Sequence, residues 1–232
     1  MYERLALNAV VPLHLADVSF PPFHPLAGQT GVVYAYAIRH RDGLVLLDTG
    51  VGWGNAELDE AYRPVRRPLE AALEAHGLQR ADVVLVVNSH LHFDHCGGNR
   101  LFADVPIAVQ RAEYQAAHEL PHFTIAEWVD FDGATYRQLD GDTELLPGLR
   151  VLATPGHTPG HQSLIVDTRE GAVLLAGQAV YCVADYEHLL AQRALPSSGG
   201  DDTDPGRASA LRLAELHPVR AYFSHDAGSW QI

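Results

Sequence analysis

Ser89-His90-Leu91-His92-Phe93-Asp94-His95-Cys96-Gly97-Gly98 sets four metal-binding side chains within six residues, as His-x-His-x-Asp-His. The stretch follows Val83 to Val87, five aliphatic residues in a row, too short for a helix and typical of a strand buried on both faces. The donors therefore begin where a buried strand ends. An extended continuation would point His90, His92 and Asp94 to one side, because strand residues alternate faces. A turn would instead split the donors between two adjacent ions. Gly97 and Gly98 let the backbone pass close by. With 14 histidines in 232 residues, chance would produce this four-residue pattern only about 0.004 times per such chain. That frequency favours a metal site over coincidence.

Outward from this segment, strand-like and helix-like pieces alternate. Gly31 to Ile38 reads as a strand, Arg41-Asp42-Gly43 as a hairpin turn, and Leu44 to Leu47 as a buried strand ending at Asp48-Thr49-Gly50. Pro68 opens a helix carrying Leu69, Ala72, Leu73 and His76 on one face, with Gly77 as its C-terminal cap. Downstream, Val105 to Val109, Arg137 to Leu139, Arg150 to Ala153, Gln162 to Val166 and Ala172 to Leu175 are short strands. Thr168 to Gly171 is the turn joining the last two. Ala208 to His217 reads as a helix closed by Pro218, and Val219 to Phe223 as a final strand. The Ser-, Gly-, Asp- and Pro-rich segment Leu195 to Arg207 reads as a surface loop, since too little chain follows it for a second domain. One domain over residues 1–232, with sheets covered by helices, is the expected organisation.

Composition excludes more than it selects. A formal charge of −13, from 16 basic and 29 acidic residues, repels phosphate backbones and argues against a nucleic-acid partner. No apolar run approaches the roughly 20 residues of a membrane span, and the start, with Glu3, does not read as a signal peptide. Two cysteines make no disulfide framework, which points to a reducing cytoplasm. The expected partner is a small molecule of little charge.

Two further segments carry histidines at strand ends, where α/β proteins tend to build their sites. Thr154-Pro155-Gly156-His157-Thr158-Pro159-Gly160-His161 is rich in turn formers, and Ser224-His225-Asp226 follows the last strand. Together with His90, His92, Asp94 and His95, then His157 and His225, and with Asp48-Thr49-Gly50 upstream, the chain resembles the metallo-β-lactamase superfamily from about Val33 to Asp226. The resemblance implies an αββα sandwich with the site at one edge of the two sheets. It implies that His90, His92 and His157 hold one zinc, and Asp94, His95 and His225 another. The paired histidines, in place of His-x-Glu-x-Asp, point to hydrolytic zinc and away from the redox di-iron branch; other divalent metals fit the same donors.

Within the superfamily, Asn88 to His95 and Thr154 to Leu164 are most similar to the N-acyl-homoserine lactone lactonases. The resemblance implies a tyrosine that contacts the lactone carbonyl three residues after a metal-bridging aspartate. Here Tyr181 stands three residues after Gln178. Glutamine where the family has aspartate is a departure. An amide oxygen can ligate a metal, but it is neutral, so the centre carries one more positive charge. That should weaken its hold on a second ion while acidifying bound water further. Three histidines with an open position already make a sufficient catalytic zinc arrangement, so one or two ions are expected. A cysteine stands in for such a ligand in some β-lactamases, but Cys182 lies four residues past Gln178, too late in the chain to be expected there.

The expected reaction is ring opening of a lactone or related ester by metal-activated water, with Asp94 orienting the water or passing its proton to the leaving alkoxide and Tyr181 polarising the carbonyl. Asp48 and Asp226 are candidates to fix histidine tautomers, with ordinary loop capping as the alternative for each. The aromatic segments Phe20 to Phe23 and Leu120 to Phe131, with Phe123, Ile125, Trp128 and Phe131, are expected either to cover an apolar acyl pocket or to pack on the core. His14, His24, His118 and His122 read as surface or rim residues. The alternatives are a glyoxalase-II-like thioesterase, for which the chain offers no clear basic patch to hold glutathione, a β-lactamase, or a non-catalytic metal- or ligand-binding member.

Overall fold

Alternating aliphatic residues leave each strand with two apolar faces, and two sheets stacked between helices bury both. The computed structural model describes residues 4–193 and 204–232. Strands β1 (Val10–Ser19), β2 (Thr30–His40), β3 (Gly43–Leu47), β4 (Val65–Arg66), β5 (Val83–Val87), β6 (Pro106–Gln110) and β7 (Thr135–Leu139) form one sheet in the order β4-β1-β2-β3-β5-β6-β7. Strands β8 (Thr143–Leu146), β9 (Leu149–Ala153), β10 (Gln162–Asp167), β11 (Ala172–Leu175), β12 (Arg220–Tyr222) and β13 (Ser229–Gln231) form the second, in the order β13-β12-β11-β10-β9-β8. Parallel pairs β3–β5, β5–β6, β6–β7 and β11–β12 require crossovers. Those crossovers carry the helices: α1 (Ala56–Tyr62) and α2 (Leu69–Glu74), then α3 (Phe93–Cys96), then α4 (Arg111–Glu119) and α5 (Ala126–Val129), and finally α6 (Val183–Arg193) and α7 (Pro205–Ala214).

Between the sheets, Val45 and Leu47 of β3 and Val87 of β5 join one buried cluster with Val151 of β9 and Leu164 and Val166 of β10. Their neighbours point the other way. Leu44 and Leu46 pack with Leu69 and Leu73 of α2, while Ile165 and Leu174 pack with Tyr186 of α6 and Leu213 of α7. Each of these side chains contributes about 1.5–3 kcal/mol by leaving water, and the result is the expected αββα sandwich.

Several boundaries differ from the sequence reading. Val10–Ser19, which carries Pro12, His14 and Asp17, is a ten-residue strand that was not expected. Pro12 is tolerated because β4 pairs with β1 only at Ala16 and Asp17, leaving the Pro12 stretch on the sheet edge. The helix after Pro68 stops at Glu74, so His76 lies beyond it and is exposed, and Gly77 takes the left-handed conformation (φ +67°) that ends it. Helix α7 starts three residues before the expected Ala208, because Asp204 caps it through Gly206 N at 2.9 Å and Pro205 fits its first turn. The expected loop Leu195 to Arg207 thus ends inside α7, and its residues 195–203 lie outside the described ones. β12 is followed by the short β13, which returns antiparallel to it. Among the described residues no helix is long and apolar enough to cross a membrane.

Candidate active site

The donor-rich segment leaves β5 and turns at once. His92 has extended dihedrals (φ −68°, ψ 158°) and caps the single turn α3, whose His95 N donates to His92 O at 3.0 Å. That turn separates the donors. His90 and His92 meet His157 from the β9–β10 loop, whereas Asp94 and His95 meet His225 from the end of β12; in each trio one donor atom per residue lies within 4.8 Å of the others. The trios are adjacent, with the His90 and His95 rings 4.0 Å apart. The split arrangement therefore holds, and the extended one does not. Close passage of the backbone makes it possible: a Cβ on Gly97 would stand 1.9 Å from Gly52 N.

Hydrogen bonds set the ring tautomers. Asp48, in the left-handed conformation (φ +64°) at the end of β3, accepts from Ser89 N at 2.7 Å, from Ser89 Oγ at 2.8 Å and from His95 Nδ1 at 2.8 Å. Because the Ser89 hydroxyl donates to Asp48, its lone pair faces His90 Nδ1 at 3.0 Å and accepts from it. His225 Nδ1 donates to Val32 O at 2.8 Å. In all three rings the proton sits on Nδ1, leaving an Nε2 lone pair that is buried without a hydrogen-bond partner. His92 Nδ1 and His157 Nε2 face each other at 3.2 Å. Buried lone pairs converging in this way are costly unless a cation or proton joins them, so the donor set fits metal ions.

Burial opposes protonation of these rings. It depresses His157 to about 3 and His92 to about 4, and pushes His90 well below the usual histidine range. They stay neutral near pH 7, the form that ligates. Burial works against the Asp94 charge, yet the nearby His95, His225 and His92 rings together hold its carboxyl below the ordinary range. His95 loses to burial less than it gains from Asp94 and Asp48, and moves up.

The other candidates divide. Gln178 follows β11; its backbone N donates to His161 Nε2 at 2.9 Å, and its Oε1 is buried without a partner. Tyr181 stacks on His225, centroids 4.8 Å apart and planes 24° from parallel. Burial, then the Asp94 charge, raises its phenol to about 12. Asp226 does not orient a histidine: it accepts from Val183 N and Gly228 N, the loop-capping role of a carboxylate beside a turn. Phe123 lies 4.9 Å from the His92 ring, on the site. Trp128 is instead buried in the core, and Phe131 packs against the cluster around α2.

Sequence reasoning missed three residues. Ser89, beside the motif, couples Asp48 to His90 as described. His161 was quoted in its motif without a role; with Nε2 accepting from Gln178 N, its Nδ1–H donates to Thr154, so both nitrogens are used. Glu113 of α4 is fully buried and accepts from Leu91 N at 2.9 Å, Thr158 Oγ1 at 2.6 Å and Gly160 N at 3.0 Å, clamping the His90–His92 loop to the His157 loop. Glu113→Gln puts an amide NH2 against one of these donors and should lower the unfolding free energy by about 1–3 kcal/mol. Urea unfolding checks this, and an unmoved midpoint would remove the clamp.

The family profile described as the metallo-beta-lactamase superfamily matches residues 28–225. The chain belongs to that superfamily. Similar proteins include lactonases: an N-acyl homoserine lactonase of a Bacillus species is 35% identical over 211 residues, covering 84% of this chain and 81% of that protein. A structure of Bacillus thuringiensis AiiA with N-decanoyl-L-homoserine bound at its active site superposes with TM-score 0.75 at 27% identity, over 98% of this chain and 95% of that one. A second solved lactone hydrolase, with N-hexanoyl-L-homoserine bound at its catalytic metal centre, gives TM-score 0.71 at 29% identity over 94% and 92%. This superfamily member is a metal-dependent, lactonase-like hydrolase.

Proposed function

We propose that the chain opens the ester ring of N-acyl-homoserine lactones, with zinc held by His90, His92 and His157 and by Asp94, His95 and His225. The observation that carries this reading is the pair of adjacent donor trios, in which the Nε2 lone pairs of His90, His95 and His225 are buried without a partner. Nitrogen and carboxylate donors in threes suit zinc, and the lactonase relatives supply the substrate class. Bound there, zinc supplies a Lewis acid for the ester carbonyl and lowers the pKa of a coordinated water to roughly 7.

The chain's own residues supply the rest. Asp94, 13% exposed and ionised, orients the attacking water and holds its proton for the ring alkoxide that leaves. Tyr181, protonated because its phenol titrates near 12, offers its hydroxyl to the substrate carbonyl. Phe123 beside His92, and Tyr62 tilted against Phe93 with centroids 4.6 Å apart, give apolar walls for the acyl chain. A net charge of −13 tolerates a neutral lactone and disfavours the carboxylate product, which helps release. Two free cysteines, Cys96 buried and Cys182 half-buried, support a reducing, cytoplasmic setting.

The test is acid release from a panel of N-acyl-homoserine lactones of increasing chain length, beside a glutathione thioester and a cephalosporin, with zinc-loaded protein. The lactones should turn over at least about tenfold faster than the other two, the scale on which positioned contacts discriminate between substrates. A faster thioester or cephalosporin would replace the lactone reading, and no turnover of any would end it.

A further inference from the structure

Gln178 stands at the centre outside both trios, and its side-chain oxygen is buried without a hydrogen-bond partner. Its backbone is fixed from several sides. Gln178 N donates to His161 Nε2, Ser224 N donates to Gly177 O at 3.3 Å, and Ala179 N donates to Ala176 O at 3.3 Å. Gly177 is left-handed (φ +62°), and a Cβ there would meet His161 Nε2 at 2.6 Å, so His161 and the turn hold each other in place. From this anchored position the Gln178 side chain reaches His95, whose Nδ1 is already taken by Asp48. Its Oε1 is buried and accepts no hydrogen bond, as the Nε2 atoms of His95 and His225 have no partner. A buried amide oxygen normally finds a donor. This one shares its surroundings with lone pairs that point to a cation.

We propose that the Gln178 amide oxygen ligates the ion held by Asp94, His95 and His225, and that its neutrality makes the two ions bind in separate steps. The inference rests on the zinc reading above. Six of the seven donors are then neutral and Asp94 is the sole carboxylate. The two trios stand side by side, with His90 and His95 rings 4.0 Å apart. The second cation enters against the charge of the first with a single negative charge to offset both, and at such separation that repulsion is large.

Gln178→Glu changes the charge and keeps the length, and Gln178→Ala removes the donor. The full chain is dialysed against zinc buffered over a range of free concentrations, and bound zinc is measured by elemental analysis. The natural protein should pass through a plateau at one ion per chain, the second requiring at least about tenfold more free zinc. Gln178→Glu should draw the second step down by at least about tenfold. Gln178→Ala should push it up or abolish it while the first step stays in place. Thermal unfolding of each zinc-loaded variant separates lost ligation from lost folding, and Gln178→Glu, which keeps the shape, carries the test if the alanine variant unfolds. Loading of both ions in one step, or second steps unmoved in both variants, would overturn the proposal and leave the zinc hydrolase standing. Binding of no zinc by any variant would overturn both.

Discussion

His92→Ala should reduce kcat/KM for lactones by about 10³-fold or more, since metal ions supply several kcal/mol of transition-state stabilisation and each 1.36 kcal/mol is a factor of ten. His92 Nδ1 faces His157 Nε2 at 3.2 Å, and removing it leaves that trio with two donors. The fold should survive. His92 caps α3 by its backbone alone, its side chain accepting no capping hydrogen bond, so helix formation does not depend on the imidazole. Bound zinc should fall by one ion per chain while far-UV circular dichroism is unchanged. His118→Ala is the matched control: His118 pairs with Asp130 on the surface at 3.1 Å and stands outside both trios. Full activity in His92→Ala, with its zinc retained, would move the chemistry elsewhere in the molecule.

The site was legible where its chemistry is local in the chain. His90 to His95 spans six residues after an aliphatic strand, and a short segment has few ways to avoid bringing its own side chains together. Which donors pair was not legible from the local spacing, and only the family resemblance supplied the two trios that the structure brings together. The pairing depends on the turn at His92, whose one-turn helix has no side-chain cap to announce it. Asp48 was found because Asp48-Thr49-Gly50 ends a buried strand and resembles the superfamily's early strand-end motif; the structure adds that β3 and β5 are parallel neighbours, so their ends coincide. For Asp226 the loop-capping alternative holds, because adjacency to His225 says nothing about direction: its carboxylate turns back to cap Val183 and Gly228.

Glu113 shows the opposite limit. Its partners lie 22, 45 and 47 residues away, and its own segment is an ordinary amphipathic helix with two acids, Glu113 and Glu119. Only packing reveals that Glu113 faces inward. The strand Val10–Ser19 escaped for a related reason. His14 and Asp17 interrupt its apolar pattern, and they are explained by Arg67 lying over them, with Arg67 to Asp17 at 2.7 Å. The aromatic segment from Leu120 to Phe131 satisfied both expectations at once, Phe123 on the site and Trp128 in the core, because hydrophobicity alone does not say which apolar surface a side chain covers.

Asp94→Asn removes the only carboxylate from the donor set without changing its shape. Asp94 Oδ2 lies 3.6 Å from His95 Nε2 and 3.7 Å from His225 Nε2, so it sits between the two rings that share its trio. Two losses should follow: weaker binding of the ion in that trio, and loss of the group that holds the proton for the leaving alkoxide. A positioned acid–base group contributes about 10²–10⁴-fold to rate, and kcat should fall in that range at saturating zinc. The double variant Asp94→Asn with Gln178→Glu separates the two losses. It restores one negative charge among the donors, but at position 178 rather than 94, so zinc occupancy should recover while kcat stays low. Recovery of both would mean that charge alone is required and that Asp94 has no proton to carry. Recovery of neither, with the fold intact, would mean that the carboxylate must stand at position 94 to hold the ion at all. The non-additivity of the pair, read separately in zinc affinity and in kcat, then apportions Asp94 between binding and chemistry.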